Sequence, residues 1–538
     1  MTEAWHETAD VVVVGFGAAG ACAAVEAAGA GVRVLVLDRF AGGGATAISG
    51  GVVYAGGGTR QQRQAGVADT PRAMADYLRQ EVGDAVSAAT LRRFCEQSAD
   101  MLAWLEERGV PFDASLCPDK TSYPTDRHYL YHSGSELSFA HLAPPAARGH
   151  RTHAPGASGR VFHARLAEAA RAAGAVVRVQ TRAHRLITAA DGAVIGVECR
   201  TLRDAPAWAR LGHRVLHRWS VKPGVYLPGL GRALHRPVAW LEQRYSRSLR
   251  IGARHGVVLA AGGFVFDRQL LREHAPDHRG GLRLGTPGDD GSGIRLGTGV
   301  GAATSHLDRI SVWRFLTPPS ALVGGLLVDR AGRRICDESR YGAAIGDAVL
   351  RCPDRRAWLL VDSALLAEAR RGLRGRASWF QWLQAWWLLG VDRVTAPSLE
   401  RVARRAGVDA AGLTATVDAY HDAAAAGRSD PAGKPSGSVR PLRQPPYSLI
   451  DVSIRPRMFV PAPMLTLGGL RVDEGTGQVL RADGRGVSGL FAAGRTAVGV
   501  CSRSYVSGLS LADCVFSGRR AGRSAAAEDR GGVHAHRG

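Results

Sequence analysis

Lysine is nearly missing from this 538-residue chain: Lys120, Lys222 and Lys434 are the only three, so the formal charge of +21 rests on arginine. The arginines are spread along the chain among many alanines and glycines, as a compositional bias would spread them. They build no dense basic helix and no aromatic RNA-binding signature, so nucleic acid is not expected as a partner. The eight cysteines include no C-x-x-C pair, which argues against a zinc ribbon or an iron–sulfur cluster. Isolated thiols fit a reducing compartment, and a cytoplasmic location is expected. No apolar run approaches the roughly 20 residues a membrane helix needs. The opening "MTEAWHETAD" carries acids and no apolar stretch, so no secretory leader is expected.

What is present is ordinary globular material, 45% hydrophobic and 22% charged. The length exceeds one common domain and predicts two packed units, or one large unit with an insertion. No internal repeat is visible. "DVVVVGFGAAGACAAVEAAGAGVRVLVLDR" (10–39) reads as strand, glycine turn, helix and strand. Its first strand is continuously apolar, as a parallel strand buried on both faces should be. Residues 70–109 have helical spacing behind a Thr-Pro start, and 160–200 read as a helix and two strands around an Asp-Gly turn. "HGVVLAAGGF" (255–264) and "GLFAAGR" (489–495) read as buried strands, and "SLADCVFSGRRAGRSAA" (510–526) as a final helix before a frayed tail.

Gly15, Gly17 and Gly20 form G-x-G-x-x-G between the first strand and a helix opening at Ala18 and Ala19. Gly15 permits a tight turn, Gly17 a close approach to a pyrophosphate, and Gly20 close helix–strand packing. Asp38, followed by Arg39, ends the second strand where a carboxylate accepts from ribose hydroxyls. The pattern alone does not choose between NAD and FAD. "FAGGGATAISGGVVYAGGG" (40–58) adds Thr46, Ser49, Gly50 and Gly51, suited to a second set of contacts to a long cofactor.

The fingerprint, "GGGATAISGG", "VVLAAGGF" and "LFAAGRTAVGV…GLSLADCVFSGRRAG" together resemble the fumarate-reductase-like flavoproteins. The resemblance covers most of the chain except residues 202–252. It implies an α/β fold, with a Rossmann-like FAD-binding domain built from residues 1–305 and 455–538 and an inserted α+β capping domain at 306–454. It also implies cofactor contacts at Ala261, Gly262, Gly494 and Arg495. The final helix would point the amides of Ser510 and Leu511 at flavin N1/O2, where they stabilise negative charge. The covalent-flavin histidine of respiratory members has no counterpart, which implies noncovalent FAD. Dicarboxylate-binding members carry a histidine and an arginine before the final helix, where this chain has "SYVSG" (504–508). With "GRRAG" downstream, that loop resembles the 3-oxosteroid dehydrogenases, closer to the type that desaturates C4–C5 of 5α-3-oxosteroids. The 1-ene-forming type and an enoate or enone reductase are the alternatives.

Desaturation beside a ketone needs a base for the α-proton, donors for the enolate oxygen and a hydride acceptor. Flavin N5 is the acceptor, and the Gly508 amide is a candidate enolate donor. Serine alone is too weak a base and tyrosine, near 10, needs help. Tyr505 and Ser507 are read as sharing proton removal and relay, with Arg503 lowering the tyrosine pKa if it points inward. A second tyrosine is implied from the cap, best matched by Tyr341 in "ESRYGAAIGD"; a merely packed tyrosine is the competing reading. The expected partners are a steroid or other lipophilic ketone and an external electron acceptor, since the chain holds no cluster motif.

Several stretches stay open. "GTPGDDGSGI" (285–294) meets the cofactor, hinges the cap or is a plain turn, and "YPTDRHYLYHSG" (123–134) lines a pocket or is structural. Trp379, Trp382, Trp386 and Trp387 wall a lipophilic site or, at helical spacing, join a core or interface. Residues 202–252, rich in Arg, His and aromatics, are either a solvated basic excursion or an amphipathic lid on a membrane surface or lipophilic ligand.

Overall fold

The computed structural model describes residues 5–276, 281–373, 379–455 and 462–528. The expected frayed tail lies outside these, as does the side chain of Trp379.

The valine run becomes β1 (Glu7–Val14), followed by helix α1 (Ala18–Gly29) and β2 (Val34–Leu37). Val11, Val12 and Val13 have no exposed surface because both faces of the sheet are covered, Val11 and Val13 packing into one core cluster and Val12 into the other. β1 pairs in parallel with β2 (Val11 beside Val34) and with the long strand Arg247–Leu259 (Val12 beside Val257). Gly486–Ala492 adds to the far side of that long strand, with Leu490 beside Val257. Residues near the C-terminus therefore complete a sheet begun at the N-terminus, as the expected two-ended FAD-binding domain requires. The final helix, Leu509–Ala527, lies on α1. Gly518 and Gly522 make this close approach possible: a Cβ there would stand 3.0 Å from Ala19 Cα and 2.7 Å from Ala23 Cα.

A separate four-stranded antiparallel sheet forms from Leu326–Val328, Trp358–Val361, Tyr447–Asp451 and Arg393–Ala396. With the helices at 342–351, 363–372, 399–406 and 410–425, it is the inserted α+β unit.

The 202–252 stretch is a helical hairpin, Ala207–Tyr226 and Pro228–Tyr245. It is inserted between the strands Val194–Thr201 and Arg247–Leu259, which pair directly with Val197 beside Ile251. Pro228 sits at a helix start, where its missing N–H costs nothing, whereas Pro223 and Pro237 lie inside the helices. The hairpin is braced through Glu242, which accepts from Arg39 at 2.8 and 2.9 Å and faces His213 at 3.1 Å. Burial pushes this carboxyl up, but bonds from His213 and Arg39 outweigh it and hold the group at about 2. Removing one partner of such a pair costs roughly 3–5 kcal/mol when it is fully buried, and less here, where both side chains keep a sixth of their exposure.

The aromatic helix Trp379–Gly390 narrows the open alternatives. Trp382 and Trp386 are about half exposed, so they are not core, while Trp387 packs partly against it. Helical spacing identifies a shared face without saying what covers it.

Candidate active site

The glycine turn has the shape its sequence implies, and its three glycines serve different ends. Gly15 has φ of 102°, and a Cβ there would stand 2.7 Å from the Ala260 carbonyl carbon. A Cβ on Gly20 would overlap the Gly15 carbonyl oxygen. Both are demanded by the fold. Gly17 is different: its φ is −86°, and a Cβ would meet nothing nearer than Thr46 Oγ1 at 3.5 Å. Packing does not require that glycine, and its missing side chain leaves room above the start of α1. Gly17, the residue that opens α1, has no side chain with which to cap it. The Ala18 amide donates to buried Thr46 Oγ1 at 3.0 Å, and first-turn geometry leaves the Ala19 and Gly20 amides without helical acceptors. An uncapped helix start beside an open cradle fits a pyrophosphate.

Asp38 does more than the sequence suggested. Its carboxylate accepts from the amides of Phe16 (3.0 Å), Phe40 (2.8 Å) and Gly42 (3.1 Å). It thus clasps the turn and has about one acceptor position left for a ribose hydroxyl. Arg39 faces elsewhere, into the hairpin and to Asp290 at 2.9 Å. The Ser49–Gly51 loop is ordered by protein contacts. Ser49 Oγ donates to Thr46 O at 2.8 Å, the Gly50 carbonyl accepts from Tyr123 and Ser158 at 2.8 Å each, and the Gly51 carbonyl accepts from Thr152.

Ala261 and Gly262 lie just beyond the end of the long strand. The Gly262 carbonyl accepts from Thr496 Oγ1 at 3.0 Å, and the Gly494 amide donates to Ser517 Oγ at 2.9 Å. Arg495 pairs with buried Asp289 at 2.6 Å. Burial works against its charge, and Asp289 outweighs that to raise its pKa. Asp289 also receives the Thr286 amide at 2.8 Å, so "GTPGDDGSGI" is a built turn that aims a carboxylate at Arg495.

Gly508 begins the final helix in the left-handed region, φ 91°, with no side-chain cap. A Cβ there would stand 2.7 Å from Tyr54 N, and the Gly508 carbonyl accepts from that amide at 3.1 Å. The loop is thereby pressed onto the strand Val52–Tyr54. The Ser510 and Leu511 amides fall in the uncapped first turn, whose positive dipole end suits an electron-rich ring edge. The buried carboxyl of Asp513, one turn in, is pushed up to about 6 by burial, opposed by Arg520 and the amides of Val500 and Cys501.

The phenols gather around Ser507. Its Oγ lies 3.0 Å from the Tyr131 hydroxyl, its carbonyl accepts from Ser133 Oγ at 3.0 Å, and Tyr341 is a further neighbour. Tyr505 stacks on Trp313 with centroids 4.5 Å apart and lies 6.2 Å from the Tyr341 ring. Burial raises the pKa of Tyr131, Tyr341 and Tyr505 alike. For Tyr505 the Gly508 amide and the Arg495 charge push the other way. Arg503 is not the inward cation: it is exposed, with its guanidinium against Gly83. All three phenols are therefore hydrogen-bond donors at neutral pH, suited to polarising a carbonyl or relaying a proton.

Tyr131, Ser133 and Trp313 were not singled out from sequence. A signal existed for the first two: Tyr131 and Ser133 alternate in an extended run, which puts both on the face that meets Ser507. Among the described residues no cluster of His, Cys, Asp or Glu could hold a metal ion, and no helix is long and apolar enough to cross a membrane.

Comparison with known proteins agrees with this geometry. Over 505 residues the chain is 38% identical to the 3-oxo-5-alpha-steroid 4-dehydrogenase of Comamonas testosteroni, covering 91% of this chain and 93% of that one. The crystal structure of 3-ketosteroid-delta4-(5alpha)-dehydrogenase from Rhodococcus jostii RHA1, in complex with 4-androstene-3,17-dione, superposes with a TM-score of 0.81 and 32% identity over 98% of each chain. A probable fumarate reductase of Shewanella frigidimarina is 25% identical over 97% of this chain and 75% of its own. Residues 10–510 match the FAD binding domain family. With its two-ended sheet, its open glycine cradle and its uncapped final helix, the chain belongs to that family and is an FAD-dependent oxidoreductase.

Proposed function

We propose that the chain is a 3-oxosteroid dehydrogenase that introduces a C=C bond at C4–C5 of 5α-3-oxosteroids. The observation that carries this reading is the Ser507 hydroxyl, joined to the Tyr131 phenol and neighboured by Tyr341, one residue before the amide that starts the final helix. The domain division at 306 and 454 is part of the reading, with substrate between the cap and the flavin domain. FAD, held without a covalent bond, supplies the hydride acceptor.

The chain's own residues divide the remaining work. Tyr505 and the neighbouring Gly508 amide donate to the 3-keto oxygen, and the raised Tyr505 pKa keeps its proton in place for that bond. Ser507 takes the C4 proton as its own hydroxyl proton passes to the Tyr341 or Tyr131 oxygen, and that phenol's proton passes on to water, so no isolated alkoxide forms. This moves Tyr505 from proton removal, its sequence-based role, to carbonyl polarisation beside Gly508. Trp313 and Phe315 back the two tyrosines with apolar surface suited to a steroid ring. Electrons leave to an external acceptor.

The test is anaerobic mixing of the yellow holoprotein with a 5α-3-oxosteroid. Bleaching of the flavin band with formation of the 4-ene-3-ketone supports the reading. Product desaturated at C1–C2, or bleaching only by a reductant, assigns it to one of the two alternatives.

A further inference from the structure

We infer that the hairpin of Ala207–Tyr226 and Pro228–Tyr245 docks the enzyme on an anionic lipid bilayer. The hairpin buries a small apolar contact of Ala209 and Leu241 with Leu202 and Ala205, yet leaves its largest apolar side chains in solvent while it buries polar ones. The side turned to the protein carries polar contacts: Gln180 Nε2 to His213 Nδ1 at 3.1 Å and to the Arg210 carbonyl at 2.9 Å, and His213 to Glu242 at 3.1 Å. The side turned to solvent carries an apolar stripe. Trp208, Leu211, Val215 and Trp219, at spacings of three, four and four, form one stripe and are 56%, 58%, 42% and 68% exposed. Leu227 and Leu230 continue it at the hairpin tip, and Trp240 stands exposed on the second helix.

Charge selects the occupant. Arg210, Arg214 and Arg218 run along the stripe on one side, and Arg232, Arg236 and Arg244 are exposed on the partner helix. Glu242 is the only acid between residues 205 and 250, and it is turned inward to Arg39 and His213. A bare cationic surface would suit any polyanion, and a bare apolar one any hydrophobic partner. Tryptophan and leucine beside unopposed arginine is the pattern of a helix lying in a headgroup region, with its apolar side chains below and its guanidinium groups at the phosphates. The braced attachment through Glu242 presents this face as a fixed unit. Such docking would bring the enzyme to the phase into which lipophilic substrates partition, though the surface stands independently of which steroid is used.

The experiment is co-sedimentation of the full-length holoprotein with phosphatidylcholine vesicles, with and without phosphatidylglycerol. The expected result is binding that needs the anionic lipid and weakens as salt rises. Trp208→Ser combined with Trp219→Ser is expected to lower partitioning at least 10-fold, and Arg214→Glu with Arg218→Glu to do the same. Both variants should keep their flavin and their turnover of cyclodextrin-solubilised substrate. A wild-type protein that stays in the supernatant with anionic vesicles at low salt overturns the proposal. So does a tryptophan variant that partitions like wild type, or a wild-type dimer without lipid affinity that the tryptophan variant dissociates.

Discussion

The Ser507 hydroxyl lies 3.0 Å from the Tyr131 phenol, joining residues 376 positions apart in the chain. The contact puts a hydroxyl too weak to be a base alone into a chain of hydroxyls that can relay a proton. Ser507→Ala should cut kcat by about 10²–10⁴, the range for loss of a positioned proton-transfer group, with flavin content unchanged. Tyr131→Phe breaks only the outer link and should cost less, on the order of tenfold. Steady-state kinetics of both variants check the order; a Tyr131→Phe loss exceeding that of Ser507→Ala would reverse their roles.

Tyr505→Phe removes one of two donors to the developing oxyanion. The expected loss is about 10²–10³ in kcat, the range for a single oxyanion donor. The ring still stacks on Trp313, so FAD content and thermal stability should stay near wild type. A kcat that is unaffected would remove Tyr505 from the chemistry.

Gly17 and Gly20 look alike in sequence and should behave differently. Gly17→Val places its branches in an open cradle, so the protein should fold and lose FAD. Gly20→Val drives them into the Gly15 carbonyl, so the protein should be unstable or insoluble. Flavin-to-protein absorbance ratio and far-UV circular dichroism separate the two outcomes.

Asp513 gives a pH test with a definite sign. In the folded protein burial raises its carboxyl to about 6, whereas an aspartate in an unfolded chain titrates at 3.8. As pH rises through that window the unfolded state gives up its proton first, so stability falls with rising pH. Asp513→Asn keeps an acceptor for the Val500 and Cys501 amides and cannot ionise. It should remove on the order of 1–3 kcal/mol of that fall. Thermal melting at pH 4.5 and 7.5 should show a smaller drop for the variant than for wild type; equal drops would contradict a buried, late-ionising carboxyl.

Much of the frame is legible in the sequence because the signals are local. The valine run of β1, the glycine turn, the Thr70-capped helix and the final helix each follow from a few adjacent residues. The reactive loop was legible too, since Tyr505, Ser507 and Gly508 lie within four positions. What was hidden depends on distant register. Tyr131 belongs to a two-residue strand paired with Gly149–Arg151, and its link to Ser507 exists only once that segment meets the loop before the final helix, where the Ser507 amide donates to the Ser133 carbonyl. Arg503 is the cation the sequence offers to Tyr505 and Arg495 reads only as a cofactor contact; the fold turns the first to Gly83 and the second to Asp289 and Tyr505. The hairpin's composition left a solvated basic excursion and an amphipathic lid both open, because which residues face solvent depends on how the two helices pack. The exposure of Trp382 and Trp386 is likewise a property of packing and not of spacing.

The most direct measurement is stopped-flow absorbance of the flavin band after anaerobic mixing with a 5α-3-oxosteroid, comparing wild type with Ser507→Ala. The expected result is rapid bleaching in wild type, slowed at least a hundredfold in the variant at equal flavin occupancy. Equal bleaching rates, or a holoprotein whose band the steroid leaves untouched, would contradict the placement of Ser507 and its phenols at the reacting carbon.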